Sequence, residues 1–107
     1  MTNPVLEITE DHDWNSDMLD RVASERMRQQ EKWGSQTHTI DRYNTILVEE
    51  VGEVSRAICA INFGKYENDI DYRNALRHLS EELAQVAAVA VAMMTGIEVV
   101  LTSDLGG

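Results

Sequence analysis

The chain has 107 residues, a length typical of one domain, and carries 19 acidic against 9 basic residues, for a formal net charge of −10. This charge and the lack of a lysine- or arginine-rich run argue against duplex nucleic acid as a partner, because its phosphates require basic contacts. Residues 1–14 are acidic without a secretory-signal core, and the apolar run 86–94 is too short to span a bilayer. We therefore expect a soluble, cytoplasmic protein that does not bind a membrane.

The elements predicted in chain order are mostly helical, because one proline and six glycines leave few breaks. Residues 1–15 have no clear hydrophobic period and are expected to form an N-terminal arm. A first helix with a narrow apolar face is predicted over residues 17–32. Asn15 or Ser16 would cap this helix, and Gly34 would follow its end.

Two longer helices follow, and each carries an apolar stripe with spacings of mostly three and four residues. The second is predicted from a cap at Asp41 to about Phe63, with Gly64 as its stop. After a polar connection over residues 65–71, the third is expected to end at Gly96. The stripes consist of Leu47, Val51, Val54, Ile58 and Ile61 in the second helix and Leu76, Leu79, Leu83, Val86, Ala90 and Met93 in the third.

The expected fold is a single all-α domain over residues 1–107, a helical bundle whose two long helices lie antiparallel. Residues 96–107 form its tail, with residues 97–101 as a short strand or a last helical turn. The single cysteine, Cys59, excludes an internal disulfide and is expected to pack as a core thiol. Because small domains bury a limited share of their surface, we expect a homodimer or homotetramer to complete the bundle.

The most distinctive pattern is an octet that occurs twice, as LVEEVGEV over residues 47–54 and as LSEELAQV over residues 79–86. On a helical wheel, each copy places two polar side chains on the same flank of its apolar stripe. These pairs are Glu50 with Glu53 and Glu82 with Gln85. Antiparallel packing through the stripes would bring all four to one pocket. An all-oxygen set suits Mg²⁺, or alternatively Mn²⁺, better than zinc.

Other interpretations of these acids stay open. Glutamates three residues apart often simply face water, and Glu81 is expected to do so. Glu49 is expected either to face water or to help deprotonate the attacking water. His78, one turn before Glu82, raises the alternative of a di-iron carboxylate site. Such bundles place the histidine three residues after the glutamate, so this alternative is disfavoured.

The ExxE…ExxQ pattern of residues 50–85, with 28 residues between its halves, resembles the ExxE…ExxD signature of the MazG-like all-α nucleoside triphosphate pyrophosphohydrolases. The upstream segment ERMRQQEKWGSQTH, residues 25–38, is also similar to the ERxRQ…KWGxQxH opening of short phage- and mobile-element-type members. The resemblance covers roughly residues 20–95, most of the chain.

This resemblance implies a Mg²⁺-dependent hydrolase that cleaves nucleoside triphosphates between the α and β phosphates and so removes unwanted nucleotides from the pool. The metal ligands of the family correspond to Glu50, Glu53 and Glu82, and its fourth acid corresponds to Gln85. Glutamine removes one charge from the metal shell, although its carbonyl oxygen can still coordinate. The exchange therefore bears on catalytic strength rather than on the fold.

The remaining assignments follow from the chemistry of the proposed substrate. Glu49 or Glu53 would assist deprotonation of the attacking water. Phosphate oxygens would be held by the basic side chains of Arg28 and Lys32, with Lys65 as a further candidate. Trp33 would stack on the base, unless it plugs a contact between subunits. The side chains proposed to contact polar edges of the base are Gln29, Gln36 and His38.

Two non-enzymatic alternatives accompany this hypothesis. The chain is then either a catalytically weakened nucleotide- or partner-binding oligomer or a plain helical oligomerisation module whose acids face solvent. In the second case Glu25 and Arg26 would form ordinary surface pairs, and His38 would be a solvated histidine.

Overall fold

The structure, a computed structural model, describes residues 4–34 and 37–103, without the side chain of Trp33. Within these residues the regular elements are three α-helices, α1 (Trp14–Trp33), α2 (Ile40–Phe63) and α3 (Asp69–Thr102). The prediction of an all-α fold is confirmed.

The first helix begins three residues earlier than predicted, because Asp13 is its N-cap. The Asp13 carboxylate accepts a hydrogen bond from the backbone amide of Ser16 at 3.1 Å. At the other end, Gly34 has a φ of 70°, a conformation that a residue without a Cβ adopts readily. Its amide donates to the carbonyl oxygen of Gln30 at 2.7 Å, so α1 ends close to the predicted position.

The second helix is capped by Thr39 and not by Asp41. The Thr39 hydroxyl oxygen accepts a hydrogen bond from the backbone amide of Arg42 at 3.1 Å. Gly64 follows the last helical residue, as predicted. A Cβ at Gly64 would collide with the carbonyl oxygen of Ala60 and with the Tyr66 ring, so only glycine fits at the end of this helix.

The third helix is longer than predicted at both ends. It begins at Asp69, because the side chain of Asn68 accepts a hydrogen bond from the Asp71 amide at 2.8 Å. The prediction that Gly96 ends it is wrong, since α3 continues to Thr102. One glycine inside a helix costs only about 1 kcal/mol relative to alanine, and no proline follows to stop the helix. The alternative of a strand over residues 97–101 is therefore wrong as well.

The third helix is central, and both α1 and α2 pack against it. The buried residues are mostly small and lie on α2 and α3: Ala57, Ile61, Ala84, Ala88 and Val89. A hydrogen bond of 2.7 Å from the Arg21 guanidinium to the Ser80 hydroxyl joins α1 to α3. Small residues therefore set the contact between the helices.

The predicted apolar stripes form the core only in part, because Ile61 is buried whereas the other stripe residues are partly or fully exposed. Val51 and Ile58 of α2 are 46% and 40% exposed, and Leu83 of α3 is 50% exposed. The flank of α2 that holds Glu50 and Ala57 is turned inward instead. Because α3 presents alanines to α2, the larger apolar side chains on both helices are left partly uncovered.

Cys59 is exposed, so the prediction of a packed core thiol is wrong. The contacts of α2 with the rest of the chain run through Ala57 and Ile61, each two positions from Cys59. Two helical positions correspond to a rotation of about 200°, which directs the thiol away from the core.

The molecule is elongated and has much accessible surface. Its accessible area is 8569 Å², whereas a compact chain of 12.1 kDa exposes about 6,000 Å². Its radius of gyration is 17.2 Å, compared with about 13 Å for a compact domain of this length. The described residues thus bury less surface than a typical monomer does.

The third helix accounts for much of this exposed apolar surface. An 18-residue window of α3 has a mean hydropathy of 1.9, and 11% of that window is buried. Among the described residues, α3 is the one helix that is long and apolar enough to cross a membrane by these measures. Its apolar segment is longer than the predicted run of residues 86–94, because the helix does not stop at Gly96.

Candidate functional site

A cavity of about 460 Å³ lies between all three helices. Its volume falls within the range typical of small-molecule sites. The wall formed by α2 contains Tyr43, Ile46 and Glu50, whose spacings of three and four residues put them on one helical face. The wall formed by α3 contains Gln85, Val89 and Ala92, spaced by four and three residues. The last two turns of α1 close the third side.

The Glu50 carboxylate is the most perturbed acid of the site. Burial raises its pKa above the ordinary value, and the negative charges of Glu82, Glu53, Glu49 and Glu25 raise it further. Its Oε2 atom is buried and has no hydrogen-bond partner in the described part of the chain. A buried carboxylate oxygen without a partner is costly unless a cation or a donor relieves it.

Two other members of the acidic motif lie close to Glu50. The Glu82 side chain is only 13% exposed, and its Oε1 lies 3.6 Å from Nε2 of His78. Gln85 is half-buried and lines the cavity together with Glu50. The inward flanks of α2 and α3 therefore bring Glu50, Glu82 and Gln85 to the same region.

Glu53 differs from this group. Its side chain is 46% exposed, and its Oε1 accepts a hydrogen bond from the Arg56 guanidinium at 2.9 Å. Over residues 4–34 and 37–103, no three His, Cys, Asp or Glu side chains are gathered closely enough to hold a metal ion. The structure thus brings two of the predicted carboxylate ligands and the amide together and pairs the third carboxylate with an arginine.

The two acids predicted to be more exposed, Glu49 and Glu81, are both exposed. The charge of Glu49 nevertheless acts on Glu50, and the charge of Glu81 acts on Arg28. Glu49 therefore lies within electrostatic reach of the site, but water surrounds it.

Basic residues are concentrated at this cavity. Four of the nine lysines and arginines of the chain line it, namely Arg26, Arg28, Lys32 and Arg42, against two acids, Glu25 and Glu50. The protein as a whole has a net charge of −10. The cavity differs from it, because its lining contains more basic than acidic residues. Clefts lined by one sign of charge concentrate ligands of the opposite sign.

Arg28 is held by a two-pronged contact with Glu25. The guanidinium donates to the two Glu25 carboxylate oxygens at 3.0 and 2.8 Å, and this contact raises the pKa of Arg28. Glu25 is only 15% exposed at its side chain. Of the two residues expected to form surface pairs, Glu25 does so with Arg28, whereas Arg26 has no ion pair in the described part of the chain.

Most of the predicted substrate-contacting residues lie at the same cavity, whereas Lys65 is exposed and outside its lining. Arg28, Gln29, Lys32 and His38 all line it. Gln36 and the Trp33 side chain lie outside the described residues, so their roles stay predictions. The ring of His38 packs edge-to-face on Tyr43, with centroids 5.1 Å apart and planes at 87°.

Comparison of the chain with protein-family models, with curated protein sequences and with solved structures gave no match. The resemblance to the MazG-like enzymes therefore depends on the motifs within the chain itself. A function must be argued from the chemistry of the cavity, because a helical fold alone is compatible with many functions.

The cavity lining also includes charged and aromatic residues that were not predicted from the sequence as site residues: Glu25, Arg26, Arg42 and Tyr43. The last two lie two turns before Glu50 on α2, so the helical period that placed Glu50 inward places Tyr43 inward as well. Glu25 and Arg26 lie in the segment 25–38 that resembles the start of the family sequences. Nothing in the spacing of these two residues distinguished them from ordinary surface charges.

Glu50→Gln is expected to raise the melting temperature of the metal-free protein at pH 7. The exchange removes a charge that burial and four neighbouring acids disfavour. Because the folded state raises this pKa, native protein binds the proton more tightly than the unfolded chain. The unfavourable contribution of Glu50 is thus largest above its folded pKa and vanishes as the pH falls below the unfolded value near 4.5.

Thermal melts in EDTA between about pH 4 and pH 8 measure this effect. Glu31→Gln, at an exposed position of α1 outside the cavity lining, is the matched control and is expected to leave the melting temperature nearly unchanged. A Glu50→Gln protein that melts below wild type at pH 7 would contradict the electrostatic account of the site.

Proposed function

We propose that this chain is a Mg²⁺-dependent nucleoside triphosphate pyrophosphohydrolase of the MazG-like type. It would cleave the α–β phosphate bond and release the monophosphate and pyrophosphate. The observation that most supports this function is the cavity lined by both kinds of charge. Glu50 and Gln85 supply oxygen ligands, and four basic side chains supply contacts for phosphate oxygens. A metal–polyphosphate complex requires both.

The oxygen-rich wall fits a hard divalent cation. The residues that would hold it are Glu50, Glu53, Glu82 and Gln85, and carboxylate and amide oxygens are the ligands that Mg²⁺ prefers. The unpartnered, buried Oε2 of Glu50 and its raised pKa are the features that a bound cation would relieve. When bound, Mg²⁺ would lower the pKa of a water molecule and stabilise negative charge on the attacked phosphate.

An antiparallel arrangement of α2 and α3 would explain how the motif halves meet. The cavity lining is consistent with this arrangement, because it includes Tyr43, Ile46 and Glu50 of α2 and Gln85, Val89 and Ala92 of α3 at matching spacings. In an antiparallel register that set Glu50 opposite Gln85, Glu53 would lie level with Glu82 one turn further along. The Arg56 contact of Glu53 would then have to give way when a cation binds.

The base that receives the proton of the attacking water would be Glu53 or Glu49. Glu53 is the better placed of the two, because it is half-buried one turn from Glu50, whereas Glu49 is exposed. The basic side chains on the opposite side of the cavity would orient the phosphate chain without taking part in proton transfer.

We further propose that the chain assembles as a homodimer or homotetramer through a seam on α3. The seam consists of apolar residues with alternating spacings of four and three: Leu83, Ala87, Ala90, Met94, Ile97 and Leu101. Three of them, Leu83, Met94 and Leu101, are 50%, 63% and 69% exposed in one chain. A heptad-like stripe of this kind is typical of helices that pack against another helix.

The large accessible area of the chain supports the proposal that a second copy of the same chain covers this seam. The chain exposes about 2,500 Å² more than a compact chain of its mass, and a standard interface buries about 800 Å² per partner. A bilayer is the less suitable cover, because α3 carries Glu82 and Gln85 on other faces and Glu98 at the edge of the seam, one turn from Met94. The predicted cytoplasmic location and role in the nucleotide pool belong to the same proposal.

Pyrophosphate release from the eight common ribo- and deoxyribonucleoside triphosphates, with Mg²⁺ and with EDTA, tests the proposed activity. Turnover of at least one substrate is expected with Mg²⁺ only. Glu82→Gln should lower kcat/KM by about 100-fold or more, because a metal supplies several kcal/mol of transition-state stabilisation. Glu31→Gln, outside the cavity, should retain wild-type activity. Binding of a triphosphate without hydrolysis would instead favour the catalytically weakened binding protein.

Gln85→Asp, compared with Gln85→Asn, isolates the charge that the family motif carries at this position. In EDTA the aspartate variant should melt below the asparagine variant, because it adds a like charge beside Glu50. With Mg²⁺ the order of the thermal shifts should reverse, since a fourth carboxylate raises cation affinity. Equal Mg²⁺-induced shifts in the two variants would remove Gln85 from the metal site.

Met94→Asp is expected to weaken assembly, because it puts a charge in the centre of the apolar seam. Sedimentation velocity over a range of concentrations should find wild type larger than a monomer and should find the variant shifted toward the monomer. Asp71→Asn, at an exposed position near the start of α3, serves as the control. A monomeric wild-type protein would refute the proposed seam.

A further inference from the structure

The arginines of the chain divide into two groups by their contacts. Five of the seven donate a side-chain hydrogen bond to another residue: Arg21, Arg28, Arg56, Arg73 and Arg77. Among residues 4–34 and 37–103, the guanidinium groups of the other two, Arg26 and Arg42, have no ion-pair partner. Both line the cavity.

The case for anion binding is stronger for Arg26 than for Arg42, because Arg26 is half-buried. A guanidinium that has lost part of its water without gaining a carboxylate is unfavourable, and an anion in the cavity would compensate it. Arg42 stands in the first turn of α2, next to Tyr43, and is exposed toward the same space. Thr39 holds the backbone amide of Arg42 and so fixes the position from which its side chain extends.

The two basic residues chosen from the sequence are less available. Arg28 already donates twice to Glu25, and a phosphate would have to displace a carboxylate that is only 15% exposed. Lys32 also has an interaction within the chain. The planar guanidinium matches phosphate oxygens in two-pronged geometry, which gives unengaged arginines a further advantage.

We infer that Arg26 and Arg42, rather than Arg28, bind the terminal phosphates of the substrate, the group that leaves as pyrophosphate. The identity of this ligand rests on the proposed function. The binding of a phosphate compound does not rest on the proposed function. Two arginines without ion-pair partners in a cavity would bind a compact polyanion even without a metal. The oxygen ligands around Glu50 would then hold the cation that binds the phosphate that stays with the nucleoside.

Calorimetric titration with inorganic pyrophosphate in EDTA, using the full chain, tests this assignment. Wild type is expected to bind, and Arg42→Gln and Arg26→Gln are each expected to weaken binding by about tenfold or more. This corresponds to the loss of a hydrogen bond between charged groups. Arg28→Gln should change the affinity by less than about threefold.

Arg77→Gln is the matched control, because it removes the same charge from α3 at a residue outside the cavity lining. Its affinity for pyrophosphate should stay within about twofold of wild type. Circular dichroism and melting curves establish that each variant is folded. If the half-buried Arg26 proves necessary for folding, the exposed Arg42 alone decides the outcome.

The assignment is overturned if wild type does not bind pyrophosphate, if Arg42→Gln binds it as wild type does, or if Arg28→Gln causes the larger loss. Failure of the proposed function would look different. In that case the chain would bind pyrophosphate through Arg26 and Arg42 but release none from any triphosphate. Conversely, hydrolysis with unchanged pyrophosphate binding in Arg42→Gln would refute only the assignment of these arginines.

Discussion

The proposed site depends on a carboxylate placed where a carboxylate is unfavourable for folding. Glu50 faces the inside of the helical packing, and its neighbourhood contains several acids and no donor for Oε2 among the described residues. An apolar or amide side chain there would make the free protein more stable. A position of this kind is expected where function, and not folding, determines the residue, and it motivates the cation in the proposed reaction.

Much of the architecture was predictable because helix signals are local. The apolar period identified three helices, and Gly34 and Gly64 marked two of their ends. The helix starts were less accurate, because several residues before each helix can act as a cap and only tertiary structure selects among Asp13, Thr39 and Asn68. The prediction that α3 ends at Gly96 was wrong, since one glycine is a weak stop signal without a following proline.

The site was predicted in part, for reasons that differ from one residue to the next. The repeated octet correctly placed Glu50 and Gln85 at one cavity, because equal offsets on two packed helices meet. Which apolar face turns inward was not predictable from the period alone. The buried contact consists mostly of alanines such as Ala88, and Ile61 is the one residue of the predicted stripes that is buried. Arg42 was missed because its proposed role depends on its having no ion-pair partner among the described residues, and a sequence does not show ion pairs.

The unbroken course of α3 past Gly96 links two parts of the molecule mechanically. One rigid rod carries Glu82 and Gln85 near its middle and the exposed Met94 and Leu101 further along. A stop at Gly96 would have left the distal segment free to pivot. As one continuous helix, α3 would pass a tilt imposed at its far end to the turns that carry Glu82 and Gln85. If neighbouring chains pack on the exposed distal segment as proposed, dilution that separates them is expected to lower the proposed activity as well.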